Sequence, residues 1–268
     1  MNLELREFLF LPLKEQTFTF SIRAKEAGLF SGVNSLKQML SNLSLHVDWV
    51  APEGHSLVNG TVVLTGSGEA EQVAKAEEML LGLIGKPSGV ATAAAEFIRK
   101  SQGRIKVVCG AWKKVAPEVR AALRQAIATG GAGMRITDVP FIYLDKNYVR
   151  MFGGVGAAVS RAKAFEEERL VAVQLKGETK PILEEAVEAV RAGAGILMID
   201  TGELDDLHAV TKASESGGWR DEVQIAFAGG LTLDELPKVI DAGADVVDVG
   251  RSIIDAPMLD FSLDIIKG

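Results

Sequence analysis

After Gly103 the chain alternates short apolar, β-rich runs with amphipathic segments, and that rhythm limits the folds open to it. The runs are IKVVC (Ile105–Cys109), PFIYL (Pro140–Leu144), LVAVQL (Leu170–Leu175), GILMID (Gly195–Asp200), VQIAFA (Val223–Ala228) and DVVDV (Asp245–Val249). Segments of helical period lie between them, among them APEVRAALRQAIAT, KPILEEAVEAVRAG, ELDDLHAVTKASES and LTLDELPKVIDAG. Strand and helix in strict alternation imply parallel strands joined by right-handed crossovers. Near-continuous apolar strands imply burial on both faces. Such a segment forms either a compact open barrel or a doubly wound sheet. A doubly wound nucleotide fold carries a Gly-rich fingerprint after its first strand. Here the first strand runs into CGAWKKVAPEVR, with no such spacing. The glycines cluster instead after the last two strands, in Ala228-Gly229-Gly230 and Gly250-Arg251-Ser252. Barrels commonly build phosphate sites from those late loops, so the glycine placement favours a barrel.

The residues before Gly103 have another texture. TFTFSIRA (Thr17–Ala24) alternates apolar and polar residues as a half-buried strand does, and GTVVLT (Gly60–Thr65) is a second β-rich run. Between them SGVNSLKQMLSNL reads as a helix starting near Ser31 or Asn34. From Glu69 the chain turns helical. Lys86–Gly89 (KPSG) reads as a break before a further helix that stops at Gly103. The expected division is an α/β domain over 1–103, a (β/α) barrel over 104–254 and a tail over 255–268.

Composition narrows the function. A net charge of -7 argues against bulk nucleic-acid binding and leaves room for a local basic pocket. The single cysteine, Cys109, rules out an intrachain disulfide and any Cys-rich metal site, and reads as a small core residue. His46, His55 and His208 are too dispersed in sequence to suggest a zinc cluster. No apolar run is long enough to cross a bilayer. The N-terminal MNLELREFLFLPLKEQ has no signal-peptide pattern, so a cytoplasmic protein is expected.

A barrel places its chemistry at the C-terminal strand ends. There the sequence puts Lys113 and Lys114, then Arg135, Asp145 and Lys146, then Lys176 and Glu178, then Asp200, then Gly229 and Gly230, and last Gly250 and Arg251. This rim is basic although the chain is acidic. Cations with glycine N–H groups suit a phosphorylated ligand, because the backbone can approach it closely. Asp200 closes an otherwise apolar strand and suits Mg²⁺ or ribose hydroxyls. Glu178 reads equally as a cap for the helix after it.

These residues resemble quinolinate phosphoribosyltransferase, the carboxylating nicotinate-nucleotide pyrophosphorylase family, and its relative in molybdenum-transport gene clusters. The resemblance runs through RAKEAGLFSGV, KPSGVATAAAEFI, KKVAPEVRAALRQAIATGGAGMRITD, AGAGILMID and AGGLTLDELPKVIDAGADVVDVGRSIIDAPMLDFSLDI. It implies an N-terminal α/β sandwich followed by an open (β/α) barrel of about six parallel strands. The tail would pack back on the sandwich, in a homodimer or higher oligomer with interfacial active sites. It also implies a pentosyl transfer: the nitrogen of a heteroaromatic base joins C1 of phosphoribosyl pyrophosphate, and pyrophosphate leaves with Mg²⁺. With quinolinate, CO₂ follows. Asp200 and Lys114 would be catalytic, with Asp200 the metal ligand. Lys113, Lys114, Arg135, Lys146, Gly229, Gly230, Gly250 and Arg251 would bind substrate.

Several positions depart from the family pattern. Glu78 stands about where the family offers an arginine across the dimer interface. Lys113-Lys114 replaces Arg-Lys, Met134-Arg135 replaces His-Arg, and Asp145-Lys146-Asn147-Tyr148 replaces Lys-Asp-Asn-His. The two third-strand glutamates fall at Ala172 and Gln174, and a serine falls at Ala228. A lysine point charge does not reproduce a bidentate guanidinium clamp. The sugar-phosphate end is kept while the base end is rebuilt. Three readings follow: a transferase for quinolinate or a less anionic base, an altered homologue that binds a nucleotide or sugar phosphate without turnover, and a small barrel decarboxylase or sugar-phosphate lyase. The N-terminal hundred residues oppose the last.

Overall fold

The computed structural model describes residues 4–266. In chain order the strands are β1 (Thr17–Ala24), β2 (Gly28–Leu29), β3 (His46–Val50), β4 (Ser56–Leu57), β5 (Val62–Glu69), β6 (Lys106–Val108), β7 (Phe141–Leu144), β8 (Leu170–Leu175), β9 (Ile196–Ile199), β10 (Gln224–Phe227), β11 (Val246–Asp248) and β12 (Phe261–Ile265). The helices are α1 (Leu5–Phe10), α2 (Val33–Asn42), α3 (Ala70–Ser101), α4 (Pro117–Thr129), α5 (Lys146–Phe152), α6 (Val155–Lys163), α7 (Ile182–Arg191), α8 (Leu204–Ser216), α9 (Leu236–Asp241) and α10 (Arg251–Ile254). The chain forms two units. One takes the chain up to Ala95 with Lys114–Gly131 and everything from Asp255; the other takes Glu96–Lys113 and Ala132–Ile254.

The first unit is built on an antiparallel sheet of order β12-β1-β5-β3. Alternation along β1 buries Phe20, Ile22 and Ala24 on one face, as the sequence pattern requires. Val73, Ala76, Leu80 and Ile84 recur at helical spacing on α3 and meet that face with Leu36 and Leu40 of α2. The start of α2 is capped from a distance. The Glu53 carboxylate accepts from the Gly32 and Val33 N–H groups at 3.2 and 3.1 Å. The helix starts at Val33, between Ser31 and Asn34, as the sequence suggests.

The KPSG break is corrected by the structure: α3 is continuous over Ala70–Ser101, with Pro87 inside it. The turn at Pro87 is covered by another part of the chain. Lys86 Nζ donates to the Ala256 carbonyl at 2.7 Å. Leu259 N donates to the Gly85 carbonyl at 3.1 Å, and a Cβ on Gly89 would lie 1.9 Å from the Pro257 oxygen. The glycines flanking Pro87 admit this neighbouring strand of chain. They do not end the helix.

The second unit carries a six-stranded sheet of order β6-β11-β10-β9-β8-β7, with every pairing parallel. From β7 to β11 each strand lies beside its predecessor, and β6 lies beside the last. A doubly wound sheet reverses direction part-way; this one winds one way and returns to its first strand, as an open barrel does. The seam lies between β6 and β7, where Gly133 bridges to Val108. Val108, Ala172, Ile196, Met198, Ala226 and Val246 fill the interior, with Tyr143 and Ala228 packed on them. The central interior side chains on β8 and β10 are the alanines Ala172 and Ala226, with Leu170 below Ala172.

Candidate functional site

Period-two alternation carries the inward face up each strand to the C-terminal rim. From Met198 it reaches Asp200, from Ala172 Gln174, from Val246 Asp248 and from Val108 Gly110. Extending the parallel register by one residue sets Ala228 between Asp200 on β9 and Asp248 on β11. Two strand spacings put those acids roughly 10 Å apart across one methyl group. Tyr143, inward on β7, is held protonated by burial first, then by Asp200, Asp248 and Asp145.

Asp200 is well supported. Its side chain is 26% exposed, and Lys176 Nζ lies 3.5 Å from Oδ2 and also donates to the Asp200 carbonyl. The Gln174 amide donates to the same carboxylate oxygen. An amide there adds a hydrogen-bond donor where a glutamate would add a second carboxylate, so Gln174 helps orient the Asp200 side chain. Lys176 is in turn fixed by its loop. The Glu185 carboxylate, 1% exposed, accepts from the N–H groups of Lys176, Gly177 and Thr179 at 3.1, 2.9 and 3.0 Å, and from the Thr179 hydroxyl at 2.8 Å. Glu178, read as a possible cap, instead forms a two-pronged pair with Arg150 at 2.7 Å, which holds its carboxyl below the usual range.

The other basic residues take different places. Lys113 Nζ stands 5.5 Å from the centre of the Tyr143 ring, within reach of a cation–π contact. Lys113 and Lys114 close a 3₁₀ turn over Ala111–Lys114 and both are exposed. Arg135 is exposed in the segment between α4 and β7, two residues past the Gly133 bridge, and Arg251 is exposed at the start of α10. Lys146 opens α5 with its side chain exposed, and its N–H donates to the Gln174 Oε1 at 2.8 Å. Asp145 is the N-cap of that helix, accepting from Asn147 N at 2.8 Å and Tyr148 N at 3.2 Å. In the first unit Glu78 pairs with Arg6, which holds its carboxyl below the usual range by a hydrogen bond and charge attraction.

The glycines have different reasons. Gly229 (φ +123°) meets Gly202 backbone to backbone: a Cβ would lie 2.2 Å from the Gly202 nitrogen. Folding alone demands glycine there. Gly230 needs a left-handed conformation (φ +89°) and has open space beside it. Gly250 has neither constraint, since an added Cβ would find only Ala111 Cβ, at 3.9 Å. Nothing in the fold requires glycine at 250. A cavity of about 290 Å³ lies on the outer side of the Gly229–Gly230 loop, lined by Phe227 and Val239 and by the carboxylates of Glu203, Asp205 and Glu235. Gly229 and Gly230 line the same cavity, so its wall is acidic beside the loop.

The family model for the N-terminal domain of quinolinate phosphoribosyl transferase matches residues 7–88, and that for its C-terminal domain matches 90–264. The chain belongs to this family. Human nicotinate-nucleotide pyrophosphorylase (carboxylating) is 30% identical over 244 residues, 90% of this chain and 80% of the human one. The probable Bacillus subtilis enzyme of that name is 26% identical over 254 residues, 94% and 84% of the two chains. Among solved structures, the nicotinate-nucleotide pyrophosphorylases of Pyrococcus furiosus (TM-score 0.82, 23% identity, 98% of this chain and 73% of that one) and Francisella tularensis (0.81, 20%, 97% and 90%) share the fold.

Asp248 was missed from sequence. In DVVDV it is the second of two acids in a short strand run. The available signal was phase: it stands two residues before Gly250 and two after Val246, on the inward face.

Proposed function

We propose that this protein is a phosphoribosyltransferase of the quinolinate type, joining a heteroaromatic base to the C1 of phosphoribosyl pyrophosphate and releasing pyrophosphate. The observation that carries this is Gly250, a glycine the fold does not need, beside Gly230 on the neighbouring strand end of a family barrel. Gly230 and Gly250 N–H groups, with Arg251, receive the 5′-phosphate. Lys113, Lys114, Arg135 and Lys146 supply charge for pyrophosphate and for any carboxylate on the base.

As the C1–O bond to pyrophosphate breaks, positive charge develops on the ribosyl carbon while negative charge develops on the leaving group. Asp200, oriented by Lys176 and Gln174, faces the interior where a carboxylate stabilises the former. The base nitrogen then forms the new bond to C1; with quinolinate the bond from the ring to its carboxylate breaks, CO₂ leaves, and the electron pair left on the ring carbon takes a proton from water. Among the described residues no group of three or more His, Cys, Asp or Glu could hold a metal. Mg²⁺ commonly binds through one or two carboxylates plus substrate phosphates, and Asp200 fits that share of the coordination. The ion would neutralise the departing pyrophosphate. A cytoplasmic homo-oligomer accompanies this function, and the exposed Leu5, Phe8 and Leu9 of α1 support self-association.

The test is incubation with phosphoribosyl pyrophosphate, Mg²⁺ and a panel of bases led by quinolinate, with mass-spectrometric detection of the mononucleotide. A nucleotide product from any base supports the proposal. Absence of product from the whole panel overturns it.

A further inference from the structure

Strand pairing fixes the end of β6 on both sides. Val249 N donates to the Val108 carbonyl at 2.8 Å, and Cys109 N donates to the Gly133 carbonyl at 2.8 Å. Past Cys109 the chain leaves the sheet for the turn over Ala111–Lys114 that carries Lys113. The first bond beyond that point runs from the Gly110 N–H to the Asp248 Oδ1, at 2.8 Å. Gly110 does not have a left-handed conformation, so its backbone alone does not call for glycine. A Cβ there would lie 3.0 Å from the Asp248 Oδ2. The small residue and the acid therefore form one device: glycine lets the carboxylate approach, and the carboxylate fixes the start of the turn. Three residues on, Lys113 Nζ stands 5.5 Å from the Tyr143 ring centre. On the same turn the Trp112 Nε1 donates to the Met134 carbonyl at 3.4 Å.

We propose that Asp248 is a positioning residue for phosphoribosyl transfer, anchoring the turn through the Gly110 N–H so that Lys113 is presented at the barrel mouth. This rests on the transferase function proposed above. The carboxylate acts here as a hydrogen-bond acceptor on a backbone donor. A group with the same shape and no charge should therefore replace it, whereas a group with no acceptor should not.

The experiment compares Asp248→Asn with Asp248→Ala in two ways. In steady-state kinetics, Asp248→Ala should raise KM for phosphoribosyl pyrophosphate about tenfold with kcat little changed, the loss of one hydrogen bond that serves binding. Asp248→Asn should stay within about threefold of the parent in both constants, because the amide oxygen still accepts. The second readout needs no turnover. The chain has three tryptophans, so with Trp49→Phe and Trp219→Phe in place, acrylamide quenching reports Trp112 alone. Quenching should rise in Asp248→Ala and stay unchanged in Asp248→Asn. If Asp248→Ala leaves both KM and quenching at parental values, or Asp248→Asn is as impaired as Asp248→Ala, the anchoring role is overturned. If the parent turns over no base at all, the transferase assignment fails by itself, and quenching still decides the anchor.

Discussion

Alanine substitutions at two glycines one strand apart should separate binding from folding. At Gly250 the new methyl finds one neighbour, Ala111 Cβ at 3.9 Å, an ordinary contact, and the backbone is not left-handed. Replacing glycine at a compatible site changes stability by about 0.4–1 kcal/mol in the favourable direction, through the unfolded chain. At Gly229 the methyl would lie 2.2 Å from the Gly202 nitrogen and 2.5 Å from its Cα, and φ is +123°. Both neighbours are backbone, so no side chain can swing aside. A strained conformation of this kind costs about 1–3 kcal/mol, and forced overpacking adds about 1–3 kcal/mol more. The assay is thermal unfolding by circular dichroism, paired with calorimetric titration of phosphoribosyl pyrophosphate. Gly250→Ala should melt at or up to about 4 °C above the parent, and Gly229→Ala should melt roughly 4–24 °C lower, from about 2–4 °C per kcal/mol at this chain size. Gly250→Ala should nevertheless bind the ligand about tenfold or more weakly, since its methyl occupies the approach to the backbone N–H groups. Parental affinity in Gly250→Ala, or a melting loss there as large as at Gly229, would refute the reasoning.

Other consequences follow from buried groups. Burial pushes the Cys109 thiol up to about 11, so Ellman's reagent at pH 8 should label it only after unfolding. With the folded value raised, its contribution is intact below the unfolded thiol's ordinary 9.0 and is lost as pH rises toward about 11. The denaturation midpoint should therefore fall more steeply over that window in the parent than in Cys109→Ala. Truncating Glu185 leaves the loop donors at Lys176, Gly177 and Thr179 without their acceptor. Glu185→Ala should lose about 2–4 kcal/mol in urea unfolding, with reduced turnover because Lys176 no longer braces Asp200.

The barrel was legible because its strands are buried on both faces. Each of the runs from IKVVC to DVVDV coincides with a strand; LVAVQL keeps its full length and the others lose one or two residues at the ends. Asp200 was legible because one acid after four buried apolar residues is expensive unless it has work or partners. The continuity of α3 was not legible. Lys86 and Ala256 are 170 residues apart, and that contact, with those of Leu259 and Pro257 at Gly85 and Gly89, explains how proline and flanking glycines remain inside a helix. The support around Asp200 was equally hidden. Gln174 looked like a lost charge, and Glu185 looked like any helical acid. Their meaning lies in which N–H groups the fold brings to them. Glycine reasons also needed coordinates, for AGG and GRS look alike in sequence, yet Gly229 answers to Gly202 and Gly250 to no part of the protein.

The most direct test of phosphoribosyl transfer at this rim is the initial rate of base-dependent pyrophosphate release, measured in parallel for the parent and Asp200→Ala. The parent should release pyrophosphate with at least one base. Asp200→Ala should bind phosphoribosyl pyrophosphate and release at least about a hundredfold less, the scale of losing one preorganised electrostatic group. Near-parental release from Asp200→Ala would contradict the account.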